Sequence, residues 1–561
     1  MPWLFSIVVL TVGLLASSCG DGDRGPETLT VLYWQAPSLA NPYLSVGTKD
    51  VDAATLVLEP LANYDENAAL VPRLVEAIPT VDNGGLSADR TTITWRLKAG
   101  VRWSDGSPLT AHDAAFTYDY ACSLPNANCG ADSIKAVRAV DDLALEITFE
   151  AASPYPYTLF VGPGSYILQR AQLKDCMGAA ARQGGCRDKN LYPVGTGPYR
   201  VVEFNVDDSV VYEANAHFRE PGEPFFASVT IRGGGNAETA ARAVLETGEA
   251  DYGWNLQVAP EFLEPLAALG RGTLEYVFGS NVESVVFNFT EPESSVDPHP
   301  FLSDPAVREA LSLAIDRDAI AALYGDAARP VCNVVTAPAP YVSSANDACV
   351  AQEIEAARDL LEDAGWLPGG DGVRQRDGVR LSILYQTTSN PLRQATQDLI
   401  RKWWAEIGVE TELEDIPASV FFGGDPDSLD TYRRFHADVQ MYTRGTGVDP
   451  QGFLSSWRTI EIPTAENTWR GANDSRWVSA AYDDAYETLT MTPVGPAREE
   501  LVMDMNDLVV QNHVVVPLVQ RALVSAIGNR LKGVRLSPWD SDMSTIHEWY
   551  REWGAVRKGA A

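Results

Sequence analysis

Cationic residues are scarce in this chain. Its 561 residues carry 43 Lys and Arg against 76 Asp and Glu, a formal charge of −33. A surface this acidic repels phosphate backbones, which argues against a nucleic-acid binder. Long apolar runs are also lacking. The longest, residues 4–16, spans about 13 residues, short of the ~20 that a membrane-crossing helix needs. Histidine is rare and dispersed, at His112, His217, His299, His436, His513 and His547. There is no HExxH, no GxSxG and no P-loop, so an exported hydrolase would lack its usual signatures. The many carboxylates do not single out a catalytic pair. No CxxC is present, which weakens a metal reading. Repeats and low-complexity tracts are missing too, against a purely structural envelope protein.

What is present is enough apolar and aromatic material, 45% and 9%, to build large cores in two to four domains. Residues 4–16 fit the core of a secretory signal segment ending in the small residues Ala16-Ser17-Ser18. Cys19 follows at once, in a pattern resembling a bacterial lipobox. The expectation is a signal peptide over 1–18, a lipidated Cys19 and a short polar tether over 19–25. That places the protein in the cell envelope, in the periplasm or on the outer face of the cytoplasmic membrane. Met1-Pro2-Trp3 lacks Lys and Arg, and plain secretion with Cys19 a bystander is the alternative. The other six cysteines form three close neighbours. In an oxidising compartment the expected pairs are Cys122–Cys129, Cys176–Cys186 and Cys332–Cys349.

The element pattern is mixed α/β. Residues 28–34 and 92–97 read as strands. Residues 143–149 alternate Leu143, Leu145, Ile147 and Phe149 with polar partners, the mark of an antiparallel strand with one wet face. Thr110 and Asp113 give a capping box for a helix from Ala111. Further on, Asp304-Pro305 supplies an N-cap and a proline at the first helical position. A helix over 354–364 should stop at Gly365. Strand 381–387, helix 391–407 and strand 409–415 form a βαβ crossover with parallel strands. A β-rich first half and an α/β second half point to two lobes, with a ligand in the cleft between them.

Five sequence blocks then carry a family resemblance. Trp103-Ser104-Asp105-Gly106-Ser107-Pro108-Leu109-Thr110-Ala111-His112-Asp113 resembles the W-x-D-G-x-P-x-T-A-x-D stretch of family 5 solute-binding proteins. Val194-Gly195-Thr196-Gly197-Pro198-Tyr199 and Phe287-Asn288 are similar to that family's G-T-G-P-Y turn and Φ-N strand. So are Arg308-Glu309-Ala310-Leu311-Ser312-Leu313-Ala314-Ile315-Asp316-Arg317 and Ala357-Arg358-Asp359-Leu360-Leu361-Glu362-Asp363-Ala364-Gly365-Trp366 to its two helical blocks. The blocks occur in family order.

The resemblance implies a two-lobed, periplasmic-binding-protein-like fold of the three-domain, discontinuous type II, with a hinge. Domain I would take residues 26–52, 190–282 and 514–555. Domain II would be an insertion at 53–189, and domain III, the second lobe, would span 283–513. The implied function is a monomeric, non-enzymatic receptor of an ABC importer, needing no cofactor. It would capture peptides, most simply oligopeptides, and deliver them to permease and ATPase subunits. Oligosaccharides, opines and metal chelates are the alternatives on the same scaffold.

Site residues follow partly from the same resemblance. In the family's peptide receptors, a loop Asp four residues before a Pro pairs with the peptide ammonium. Here the loop reads Tyr442-Thr443-Arg444-Gly445-Thr446-Gly447-Val448-Asp449-Pro450, with Thr446 at the Asp position. A buried ammonium without a carboxylate is costly. Either Asp449 takes the role or the ligand is gripped otherwise, with Arg444 suited to a carboxylate. On the second reading, N-acetylation of a peptide should matter little. Trp254-Asn255 and Trp34 are the candidate aromatic and hydrogen-bonding walls.

Overall fold

The computed structural model describes residues 28–552, except Gln35 and residues 46–47, 125–132, 207, 234, 293, 295, 423–427, 468 and 470. The expected signal segment, Cys19 and Cys129 lie outside the described residues.

The alternating stretch of the first half does form an antiparallel sheet. Strand Thr92–Arg96 pairs with Ala144–Phe149, Ile93 opposite Ile147 and Trp95 opposite Leu145. Ile134–Asp141 completes the three-stranded sheet. Helix Ala111–Ser123 starts at the Thr110–Asp113 capping box. Trp95, Trp103 and Leu145 lie in the core of this unit.

Most remaining strands join one 11-stranded mixed sheet that passes through both halves of the molecule. At one end, Thr28–Leu32 lies parallel to Ser228–Arg232 and to the short Tyr252–Gly253. At the other, Ser382–Thr388 and Glu410–Ile416 are parallel, joined by helix Pro391–Glu406, as the crossover pattern requires. Asp304 caps helix Pro305–Leu313 by accepting from the Ala306 amide. Helix Ile354–Asp363 ends before Gly365, whose φ of 83° is the left-handed geometry glycine tolerates best.

Two long strands carry the sheet from one lobe to the other. Gly272–Phe287 and Val515–Gly528 run antiparallel, and their register breaks between Phe278 and Val282. On one side of the break Leu274 and Tyr276 pack against a core with Leu245 and Val524. On the other, Val285 and Phe287 enter a core with Leu311, Trp366 and Trp404.

The blocks that carried the resemblance are structural. Gly195 lies so close to Val57 that an added Cβ would sit 1.8 Å from the Val57 carbonyl oxygen. Arg317 is buried and donates to the Pro517 and Cys349 carbonyls at 2.8 and 2.7 Å, bracing one of the crossing strands. Two of the expected disulfides, Cys176–Cys186 and Cys332–Cys349, are present. Cys122 is disulfide-bonded as well.

Candidate ligand site

A cavity of about 850 Å³ opens between the two lobes. Tyr64, Phe149, Tyr155 and Tyr157 supply one wall. The loop Thr446-Gly447-Val448-Asp449 faces them from the second lobe, with Gln451, Gly452 and Thr490. Pro538, Trp539 and Asp540 come from the C-terminal segment. The lobes also touch at the edge, where the Val494 amide donates to the Pro154 carbonyl at 3.4 Å.

The aromatic wall is ordered by hydrogen bonds. The Tyr64 and Tyr155 hydroxyls are 2.8 Å apart. Tyr157 donates to the Pro79 carbonyl at 2.8 Å and stacks edge-on against Tyr155. Burial holds the Tyr64 and Tyr155 phenols above their ordinary range, so both remain neutral donors.

Thr446 and Asp449 do line the cavity, but both have structural partners. The Thr446 hydroxyl donates to the Ala337 carbonyl at 3.1 Å. Its own carbonyl accepts from Ser280 at 2.7 Å, at the register break of the crossing strands. Asp449 is held by Arg498, whose Nη2 reaches its two oxygens at 2.8 and 2.7 Å. Arg498 is wholly buried and also donates to the Leu489 and Thr492 carbonyls. This pair fixes the loop's shape and neutralises the Asp449 charge.

Five other sequence candidates are not brought to this cavity. Arg444 pairs with Asp474 and stacks over Tyr442, and the Tyr442 hydroxyl donates to the same carboxylate. Both sit against the packed interior of the second lobe, with Val286 and Trp457. The guanidinium expected to receive a ligand carboxylate is thus committed internally. Trp254 is buried and lies flat on Tyr33, centroids 4.5 Å apart. Trp34 donates its indole N–H to the Asn255 carbonyl at 3.0 Å, and the Asn255 side chain accepts from Gln257. These three are bound up with the first lobe because the short strand Tyr252–Gly253 delivers Trp254 directly into its core.

The residues that build the cavity instead are Tyr64, Phe149, Tyr155, Tyr157, Trp539 and Asp540. Pro154-Tyr155-Pro156-Tyr157 and Ser537-Pro538-Trp539-Asp540 alternate or join proline with aromatic residues, the one local signal they carry. Nothing local ties them together, since Asp540 meets the Tyr64 amide across 476 positions.

Asp540 is the unusual group of this wall. It accepts the Ser541 amide at 2.7 Å and the Tyr64 amide at 3.3 Å. Burial nevertheless pushes its carboxyl up to about 7. Behind it Asp52 accepts from Tyr33 at 3.0 Å and Ser541 at 2.5 Å, and Asp542 accepts from Tyr252 at 2.7 Å.

Residues 69–461 match the family described as "Bacterial extracellular solute-binding proteins, family 5 Middle". The chain belongs to this family. It is a solute-binding receptor of the ABC-importer type, with the two-lobed fold described above. Protein XP55 of Streptomyces lividans is 26% identical over 492 residues, 84% of this chain and 83% of that protein. NikA from Brucella suis, solved in complex with Fe(III)-EDTA, superposes with a TM-score of 0.77 at 19% identity, over 94% of the receptor and 100% of NikA. The oligopeptide-binding protein AppA of Bacillus subtilis, solved with a nonapeptide, superposes at 0.72 and 18% identity, over 94% and 99%.

Proposed function

We propose that this receptor captures a short peptide between its lobes and passes it to a permease and ATPase in the membrane. The observation that carries the reading is the interlobe cavity, with walls from both lobes. Its volume of about 850 Å³ lies inside the ~300–1,000 Å³ range of drug-sized ligand sites, which favours a few residues over a long oligopeptide. The tyrosine and tryptophan faces suit side chains, while Gly447 and Gly452 leave backbone within reach for main-chain hydrogen bonds. AppA, a relative of the same fold, holds a peptide.

The same reading takes the register break at Phe278–Val282 as the hinge, and domain I as residues 26–52, 190–282 and 514–555, with 53–189 inserted and 283–513 as the second lobe. Two crossings allow the lobes to close without shear. The receptor works as a monomer, tethered by a lipid on Cys19. Native mass spectrometry of protein purified without denaturation tests the cargo. A retained mass resolving into peptide fragments is expected. A retained sugar, opine or metal chelate would overturn the peptide reading. Small-angle scattering tests the hinge: the radius of gyration should fall on loading.

A further inference from the structure

The cavity wall contains an acid, Asp540, that forms no ion pair with a cation among the described residues. Among the described residues no Lys or Arg lines the cavity, whereas Glu150, Asp449 and Asp540 do. Glu150 is exposed to water, where its charge is solvated and screened. Asp449 is spent on Arg498. Among the described residues, Asp540 accepts from two backbone N–H donors. A carboxylate offers about four acceptor sites, so at least one oxygen face stays open. The guanidinium of Arg73 lowers Asp540 only through space, since it is bonded to Glu59 at 2.7 Å, a carboxylate it shares with Arg219. Asp540 shares the wall with Trp539 and Tyr64, and aromatic faces attract organic cations.

We infer that the cavity selects a solute bearing an organic ammonium group, with the Asp540 carboxylate as its counter-charge and the Trp539 and Tyr64 rings beside it. This rests on the cavity being the ligand site, and it names the charge of the cargo. The chain's general acid excess does not account for Asp540, because surface acids are stabilised by water and this one is drawn into a wall. Its upward shift to about 7 agrees, since desolvation outweighs the distant Arg73 and holds the half-buried carboxyl back from ionising. The inference reverses the expectation drawn from Thr446: an amine on the ligand matters, and the acid that meets it comes from the C-terminal segment.

The test offers the full mature receptor two probes, a Lys-free tripeptide pool and the same pool N-acetylated, and reads retention by native mass spectrometry. The wild type should retain free-amine peptides about tenfold or more over acetylated ones. Asp540→Asn, which removes the charge and keeps one acceptor oxygen for the Ser541 amide, should erase that preference. Thr158→Lys, at an exposed lining position, places an ammonium inside the cavity and should erase it too, should the first variant not fold. Equal retention of both pools by the wild type overturns the inference and leaves the peptide reading intact. A folded Asp540→Asn that keeps the preference overturns the assignment to Asp540. If neither pool is retained, the peptide reading fails, and spermidine and tetramethylammonium become the probes. Their Asp540-dependent retention upholds the cation site, and their lack of retention overturns it.

Discussion

Two buried groups of acids, one beyond the strand crossing and one under the cavity, meet burial in opposite ways. Glu283 is wholly buried in the crossing strand Gly272–Phe287. Arg393 Nε reaches it at 2.8 Å, Arg521 Nη1 at 3.0 Å, and the Thr443 hydroxyl donates as well. Burial alone would raise its pKa, but the two guanidiniums outweigh it and hold the carboxyl below its usual range. Asp52 and Asp542 are equally buried and have only hydroxyl partners. There desolvation dominates, the Asp542 charge adds to it, and Asp52 is pushed above the carboxylate range. In the first group the acid is fully paired, with one guanidinium in excess, and the cluster ties helix Pro391–Glu406 to both crossing strands. The second, with Asp540 at its front, is left open toward a ligand.

Breaking the complete group should have the largest effect. Glu283→Ala leaves two guanidiniums in the interior without their counter-charge. Removing one partner of a buried pair costs about 3–5 kcal/mol. Urea unfolding followed by circular dichroism should show that loss; a change under about 1 kcal/mol would mean that water reaches the cluster and the contrast is overstated.

Glu59 shows the paired solution within the first lobe. Burial works to raise it, but Arg219 and Arg73, at 2.7 Å each, lower it from 4.5 to about 2. A lowered folded pKa contributes stability that is present above 4.5 and lost as pH falls toward 2. Over that window the contribution is about 3 kcal/mol at ~1.4 per pH unit. Glu59→Gln should therefore lower stability at neutral pH and flatten the acid limb of the stability profile. An unchanged acid limb in the variant would remove Glu59 as its source.

The open group should behave with the opposite sign. Asp52 has a raised folded pKa, so its protonated form is favoured in the native state. Its contribution is complete below the unfolded pKa near 4 and is lost as pH rises through the folded value. Asp52→Asn mimics the protonated acid, keeping one acceptor oxygen for one hydroxyl and offering an N–H to the other. The variant should gain about 1 kcal/mol or more over the wild type at alkaline pH and match it near pH 4. Thermal unfolding across that range decides; equal slopes for both proteins would show Asp52 to be ionised at no cost.

Local chemistry made much of the fold readable and little of the site. The Thr110–Asp113 box, the Asp304 cap and the Gly365 stop each act within a few residues, so their sequence signatures coincide with their physical cause. The crossover around helix Pro391–Glu406 is likewise written in adjacent periodicities. The cavity depends on long-range partners. Asp449 looked available because Arg498 lies 49 positions further along. Arg444 looked free because its acid, Asp474, is 30 positions away. Asp540 carried no signal, as its role comes from where the C-terminal segment returns beside Tyr64. Trp254 and Trp34 were aromatic residues next to a loop, and stacking within the first lobe claimed them.

The smallest effect is expected at Arg444, and it separates the loop's scaffold from the ligand contacts. Arg444 is suited by its chemistry to a ligand carboxylate, but its charge is answered by Asp474 and its plane is covered by Tyr442 and Trp457. Replacing it alone would leave Asp474 as an uncompensated buried charge and confuse affinity with folding. The paired variant Arg444→Met with Asp474→Asn removes both charges together, and such neutral replacements are often tolerated. Calorimetric titration with a free-amine tripeptide should give an affinity within about threefold of the wild type. A loss above about tenfold would place the guanidinium on the ligand after all. It would also mean that the second lobe contributes a working charge, and the contrast between a complete hinge side and an open floor would no longer hold.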